Sequence, residues 1–174
     1  MATLQARLAR GEPAAFAELY DACADRVGHY LLVRLGSWAD ADDVLQETFL
    51  RLARTREKLA DVENLDAYVI TVARNEAARL AANRAKHHRN QEPLSAEKLF
   101  RYDTGDADSR ENAESVAAAL ERLEPDLREV VELKTFSGLT FQQISQATGL
   151  PQGTAATRYR SALARMRSWF ARQP

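Results

Sequence analysis

Apolar residues recur at three- and four-residue steps along most of this chain, and no stretch alternates apolar with polar residues as a half-buried strand would. The stripe is clearest between Pro13 and Leu35, where one helical face carries Phe16, Leu19, Tyr20, Cys23, Val27, Tyr30 and Leu31. Similar stripes begin near Ala41 (with Asp40 as its predicted N-cap), Leu65, Pro125, Thr140 and Pro151. The sequence therefore predicts an all-α fold.

The helical period fails once, between about residues 91 and 112. The run 101–110 is polar and acidic, contains a glycine and has few apolar anchors, which is typical of a flexible linker. We therefore expect two small helical domains, at residues 1–90 and 117–174, joined by an acidic linker at 91–116.

Several classes of function are disfavoured by what the sequence lacks. The single cysteine, Cys23, excludes an internal disulfide and a cysteine-cluster zinc site, and it is interpreted as a buried apolar residue. His87 and His88 have no third ligand nearby, so a solvated helix end is favoured over a metal site. With no P-loop and no nucleophile–base arrangement, we expect no enzymatic activity, no cofactor and no metal.

The chain has neither a signal-peptide core at its start nor about 18 uninterrupted apolar residues elsewhere. A cytoplasmic protein without membrane insertion is expected. Its charge is unevenly spread: residues 91–125 hold 4 basic and 9 acidic residues, whereas residues 126–174 hold 7 basic and 3 acidic residues. A basic C-terminal segment suits contact with nucleic acid, since cations displace counterions from phosphates.

The C-terminal pattern predicts a helix-turn-helix. Thr140 followed by Gln143 is a capping-box signal for a short helix, and Gly149 stands where a left-handed C-cap is needed. The last helix would turn Ala155, Tyr159, Ala162 and Met166 inward and small polar residues outward. Such a helix can enter a major groove, although an ordinary helical hairpin has the same pattern.

Five segments together resemble the sigma factors of bacterial RNA polymerase. Residues 40–52 (DADDVLQETFLRL) and 64–75 (NLDAYVITVARN) are similar to region two of that family. Residues 123–131 (LEPDLREVV), 138–144 (GLTFQQI) and 149–154 (GLPQGT) are similar to region four. Because no region-three domain lies between them, the chain resembles the extracytoplasmic-function (group four) subfamily.

The resemblance implies partners and sites. It implies promoter DNA, core RNA polymerase (its beta-prime and beta subunits) and an anti-sigma factor as partners. The residues implied to dock on the beta-prime clamp helices are Asp42, Asp43, Gln46, Glu47 and Leu50. Those implied to capture flipped minus-ten bases or their phosphates are Leu59, Asn64, Tyr68, Arg74, Asn75, Arg79, Arg84 and Lys86. Those implied to read the minus-thirty-five element are Thr140, Gln152, Thr154, Thr157, Arg158, Arg160, Ser161 and Arg165.

The chain also departs from the family pattern. The predicted minus-ten loop and helix start carry Asp61, Glu63 and Asp66, where relatives usually have basic residues, and Tyr68 stands where tryptophan is common. The pattern alone also leaves simpler roles open, with the acids at 42, 43 and 47 only capping and solvating a helix and Tyr68 packing in the core. Two other functions remain alternatives: a helix-turn-helix regulator whose N-terminal domain senses a ligand or dimerises, and a purely structural helical adaptor.

Overall fold

A computed structural model of the protein describes residues 3–87 and 115–172, with side chains except at residues 86 and 87. The N-terminal part contains α1 (Leu4–Ala9), α2 (Pro13–Leu35), α3 (Trp38–Arg54), a 3-10 turn (Arg56–Asp61) and α4 (Leu65–His87). The C-terminal part contains α5 (115–121), α6 (Pro125–Val131), a π-helical turn (Glu132–Phe136), α7 (Phe141–Thr148) and α8 (Gln152–Phe170). Every regular element in these two ranges is helical, which confirms the predicted fold class.

The junction between α2 and α3 explains where both helices end. Gly36 ends α2 in the left-handed conformation with φ 69°, a geometry that suits glycine. Ser37 then caps α3, because its hydroxyl accepts a hydrogen bond from the Asp40 amide at 3.4 Å. The prediction of Asp40 as the N-cap is therefore wrong. Its buried carboxylate instead accepts hydrogen bonds from Arg84 on α4.

The N-terminal core forms where α2, α3 and α4 pack against one another, with α1 closing it against the 3-10 turn. Leu31, Leu52 and Ile70 are fully buried there, and Cys23 is buried as predicted. Tyr20 is the exception in the α2 stripe: the structure leaves it 45% exposed, so its predicted core position is wrong. It lies at the edge of the stripe, where its ring packs on Phe49 of α3.

The C-terminal core is built by α6, the π-helical turn, α7 and α8. Ala155 and Ala162 are buried, and Tyr159 and Met166 are half-buried, so the inward face of α8 is confirmed. The predicted linker falls mainly outside the described residues. Residues 115 and 116 are already helical, so the C-terminal helices begin slightly before the predicted boundary at 117.

The two halves of the chain pack directly on each other. Val33 of α2 lies in an apolar cluster with residues of the C-terminal part: Leu120, Leu123, Val131 and Ala162. Charged side chains cross the same contact, with Arg34 Nη1 2.8 Å from a Glu132 carboxylate oxygen and Arg74 Nε 3.0 Å from Glu129. The contact between the halves is thus both apolar and ionic.

Candidate functional site

The outward face of α3 carries the residues predicted to bind polymerase. Asp42, Asp43 and Gln46 are exposed and Leu50 is 50% exposed. Glu47 is half-buried and pairs with Arg54 at 3.2 Å. The structure therefore brings all five residues to one accessible face, hereafter the α3 acidic face.

An apolar margin borders the α3 acidic face, and the sequence patterns did not reveal it. The Tyr20 ring packs on Phe49 with centroids 4.9 Å apart. Tyr20 stays 45% exposed, and Leu50, the residue after Phe49, is 50% exposed. Exposed aromatic and aliphatic groups next to carboxylates are a common composition of protein-binding surfaces. The margin could have been found only from the packing of α2 on α3.

A cavity of about 380 Å³ opens between α3, the 3-10 turn and α4. Its lining is an aromatic ring, an amide, three cations and a carboxylate, set among small and apolar groups: Arg51, Thr55, Lys58, Tyr68, Val72, Asn75, Glu76 and Arg79. Tyr68, Asn75 and Arg79 belonged to the predicted minus-ten set, and the structure brings these three together. Hereafter this space is the α3–α4 cavity.

Arg51, Lys58 and Glu76 line the cavity although the sequence analysis did not single them out. Arg51 Nε and Arg79 Nη1 lie 2.9 and 2.8 Å from the two carboxylate oxygens of Glu76. Tyr68, Val72, Asn75, Glu76 and Arg79 follow helical spacing along one face of α4. That spacing is the signal that could have identified Glu76, whereas Arg51 and Lys58 come from other elements.

The remaining predicted minus-ten residues lie elsewhere. Leu59 has 0% exposure and belongs to the core, so it offers no surface to DNA; its prediction as a contact is wrong because the 3-10 turn folds inward onto α1. Asn64 caps α4, its side-chain oxygen accepting from the Ala67 amide at 2.8 Å. Arg74 is held by Glu129 and Arg84 by Asp40. The side chain of Lys86 lies outside the described residues.

The acidic residues near the cavity differ in how their charge is balanced. Asp61 and Glu63 are exposed in the loop before α4. Asp66 lies 2.7 Å from Arg26 of α2, which offsets its charge. The repulsion expected for a DNA strand is therefore concentrated at Asp61 and Glu63.

The C-terminal helix-turn-helix is built by local hydrogen bonds. The Thr140 hydroxyl accepts from the Gln143 amide at 3.2 Å, and the Gln143 side chain accepts from the Thr140 amide at 2.8 Å, so the predicted capping box is confirmed. Gly149 ends α7 with φ 76°, also as predicted. These two features fix where α7 begins and ends, and Gly149 forms the turn into α8.

The residues predicted to read the minus-thirty-five element lie at the N-cap of α7 and along α8, and most of them are exposed. Exposed positions are Thr140, Gln152, Thr154, Thr157, Arg160, Ser161 and Arg165. Arg158 is half-buried and lies 3.0 Å from Asp126, and Arg165 pairs with Glu124. Both partner carboxylates are exposed, which leaves these pairs open to competition by phosphates.

Within residues 3–87 and 115–172, no group of three or more histidine, cysteine, aspartate or glutamate side chains is placed to hold a metal ion. None of the helices in those ranges combines the length and the apolar character required to cross a bilayer.

Comparison with known proteins decides the family. Sigma-70 region 2 matches residues 19–87, and Sigma-70, region 4 matches residues 113–166. The chain is 30% identical to the RNA polymerase sigma factor CarQ of Myxococcus xanthus, over 87% of each chain. It is 33% identical to the ECF RNA polymerase sigma factor BldN of Streptomyces coelicolor, over 90% of this chain and 61% of that protein's length. This chain belongs to the ECF sigma factors.

The predicted family is therefore confirmed. Sigma factors are transcription initiation factors and are not themselves enzymes. Solved structures agree on the fold. This sigma factor is similar to CnrH, solved in complex with the cytosolic domain of CnrY, with a TM-score of 0.75 and 19% identity over 98% of this chain and 97% of that one. It is also similar to RpoE from Bartonella quintana, solved with the anti-sigma factor NepR, with a TM-score of 0.70 and 18% identity over 91% and 98%.

Proposed function

We propose that this ECF sigma factor directs core RNA polymerase to promoters through three surfaces. The α3 acidic face docks on the clamp helices of the beta-prime subunit, the α3–α4 cavity captures flipped minus-ten bases, and α8 reads the minus-thirty-five element. The observation that carries the proposal is the α3–α4 cavity, because it joins an aromatic ring, an amide and cations beside the α3 acidic face.

Docking at α3 is supported by the chemistry of its exposed residues. Carboxylates on one accessible turn can pair with arginines of a partner helix, and such charge-assisted hydrogen bonds are stronger than neutral ones. Tyr20 and Leu50, which are 45% and 50% exposed, would add apolar contact at the margin. The α3 acidic face thus offers both the charge and the apolar area that a helical partner needs.

Base capture at the cavity is supported by the same reasoning. A base taken out of the stack loses its neighbours, so a protein must replace them with stacking and hydrogen bonds. Tyr68 offers a ring and Asn75 an amide, while Lys58 is exposed for a phosphate. The exposed Asp61 and Glu63 would turn the strand toward the cationic side of the cavity.

Reading of duplex DNA is assigned to α8. Gln152, Thr154 and Thr157 are compact and exposed near the start of the helix, where side chains of a recognition helix meet base edges. Arg158, Arg160 and Arg165 provide cations along the same helix. Contact of the C-terminal part with the beta subunit and control by an anti-sigma factor complete the proposed set of partners.

The proposal is tested by reversing the charge of the α3 acidic face. Asp43→Lys with Glu47→Lys should abolish co-elution with core polymerase and run-off transcription while helicity is retained, because lysines repel a basic partner. The matched control reverses two exposed acids away from α3, Asp25→Lys with Glu121→Lys, and should keep both activities. Normal core binding by the first variant would overturn the assignment of the α3 acidic face.

The same assay separates the alternatives. A helix-turn-helix regulator would bind duplex DNA without polymerase and give no run-off product, and a structural adaptor would show neither behaviour. Family membership favours the sigma factor.

A further inference from the structure

Glu76 is a buried carboxylate at a surface proposed to meet a polyanion. It is 7% exposed and faces the α3–α4 cavity from α4. A buried charge is costly unless it is paired, and a bare carboxylate here would repel a DNA strand. Arg79 of α4 compensates it with a hydrogen bond from Nη1 at 2.8 Å. Arg51 of α3 adds an ion pair: its Nε lies 2.9 Å from the other carboxylate oxygen, without the geometry of a hydrogen bond.

The two arginines remain accessible although Glu76 does not. The Arg51 and Arg79 side chains are 38% and 60% exposed, against 8% for the carboxylate they share. Each guanidinium carries five N–H donors in a rigid plane, so one edge can hold Glu76 while another faces the cavity. Glu76 is therefore buried between two arginines whose side chains are accessible from the cavity.

Glu76 and Arg79 also line a second cavity, of about 320 Å³. The lining of that cavity includes Asp43 and Glu47 of the α3 acidic face. Arg79 thus lines both cavities, and the second contains two carboxylates that would attract it. Glu47 is also four residues before Arg51 on α3, a spacing that favours a helical ion pair.

We infer that Glu76 is a positioning residue for promoter opening: it holds Arg51 and Arg79 at the α3–α4 cavity and withholds them from the carboxylates of the α3 acidic face. The ligand of the two arginines is the phosphate backbone of the unstacked minus-ten strand. This inference rests on the proposed function of the cavity. A carboxylate that would weaken DNA binding by its own charge thereby strengthens it through its neighbours.

The test uses holoenzyme reconstituted from the full chain and core polymerase, with a promoter selected by the wild-type holoenzyme from a random DNA pool. One probe is a fork with a single-stranded minus-ten element, and the other is a duplex carrying only the minus-thirty-five element. Glu76→Gln should bind the fork about tenfold more weakly and the duplex within about twofold of wild type. Glu76→Asp should recover part of the loss.

The salt dependence distinguishes positioning from a structural role. Each phosphate contact of a single strand contributes about 0.7 to the slope of log affinity against log salt concentration. Losing one or two contacts in Glu76→Gln should therefore lower the slope on the fork by about 0.7 to 1.4. A variant that only loosened the packing of α3 on α4 would keep the slope.

The chain offers a matched control in Asp40→Asn. Asp40 is also 7% exposed and also joins α3 to α4, through Arg84, but it does not line the cavity. Asp40→Asn should leave the affinity and the salt slope on the fork within about twofold and about 0.3, respectively. An equal loss in Glu76→Gln and Asp40→Asn would overturn the inference.

Further variants keep the outcomes distinct. If Tyr68→Ala binds the fork as wild type does, the proposed function of the cavity fails, and the inference fails with it. If Tyr68→Ala weakens binding while Glu76→Gln does not, the inference alone is overturned. If Glu76→Gln does not fold, Arg79→Gln provides a second test, because position 79 is exposed. Arg79→Gln should bind the fork more weakly and lower the salt slope by about 0.7. An unchanged fork affinity in Arg79→Gln would refute the positioning role.

Discussion

The arginines of the two proposed DNA surfaces are held in different ways. In the N-terminal part, Arg51 and Arg79 share Glu76, whose side chain is 8% exposed. On the C-terminal recognition helix, Arg158 and Arg165 pair with Asp126 and Glu124, whose side chains are 69% and 58% exposed. A buried carboxylate keeps its arginine partner because water cannot replace that partner. An exposed carboxylate readily exchanges its arginine partner for solvent, and the arginine can then bind a phosphate.

The difference in burial of the partner carboxylates suits the two proposed tasks, duplex reading by α8 and strand capture at the α3–α4 cavity. A recognition helix enters a preformed groove, so its side chains need reach and freedom, and the turn between α7 and α8 supplies the orientation. A cavity that traps a flipped base must offset unstacking, so its groups should be in place before the base arrives. The structure therefore suggests exchangeable cations for duplex reading and anchored cations for strand capture.

The largest expected effect comes from removing a buried anchor. Glu132 has 0% exposure and pairs with Arg34 and Arg128 at 2.8 and 2.6 Å. Glu132→Ala should lower the free energy of unfolding by about 1–3 kcal/mol, because Arg34 and Arg128 lose the buried carboxylate that they share, although Arg34 keeps its contact with Glu129. Urea unfolding followed by circular dichroism measures this.

The control for that prediction removes an exposed carboxylate. Glu124→Ala takes away the partner of Arg165 on the surface of the C-terminal part and should leave the urea midpoint almost unchanged. Similar shifts of the urea midpoint in the two variants would show that burial of the carboxylate does not decide how much an ion pair stabilises this protein. The proposed difference between anchored and exchangeable arginines would then be wrong.

A smaller effect is expected on duplex binding. Arg158→Gln should weaken holoenzyme binding to a minus-thirty-five duplex about tenfold, since a base-contacting arginine contributes roughly 1–3 kcal/mol. Asp126→Asn, which removes only the exposed partner of Arg158, should leave binding within about threefold or improve it. Fluorescence anisotropy at two salt concentrations measures both. A comparable loss in Asp126→Asn would mean that Asp126 positions Arg158 as Glu76 is inferred to position Arg79.

An effect limited to alkaline pH is expected in the N-terminal core, at Cys23 of α2. Burial raises the pKa of the Cys23 thiol from 9.0 to about 11, and the thiol donates a hydrogen bond to the Leu19 carbonyl at 3.0 Å. The folded protein should therefore hold this proton to higher pH than the unfolded chain. The free energy of unfolding should fall as pH rises from 9 to about 11, and Cys23→Ser should lack that part of the decrease. A pH-independent difference between the two proteins would contradict the burial argument.

The sequence predicted best what is decided locally. The capping box at Thr140 and the left-handed Gly149 involve residues within a few positions of each other, and both are confirmed. Helical spacing likewise identified α2, α3 and α4 as elements, whereas the residues of the α3 acidic face were implied by the family resemblance.

What the sequence missed depends on contacts between distant segments. Helical spacing assigns a residue to a face but not to the partner that covers that face. The helical stripe therefore placed Tyr20 in the core, although it is 45% exposed. The resemblance implied that Leu59 contacts DNA, although α1 packs on the 3-10 turn and Leu59 is buried. Arg51 and Glu76 are 25 positions apart, and nothing in either segment alone indicates that they meet.

The guanidinium of Arg74 joins the two halves of the molecule. Arg74 directs Nε and Nη2 to the two oxygens of Glu129, at 3.0 and 3.1 Å, in a two-pronged grip. A phosphate can occupy that fork only after the carboxylate has left it. A phosphate that took this edge of Arg74 would displace Glu129 and so remove one of the ionic contacts that join α4 to α6.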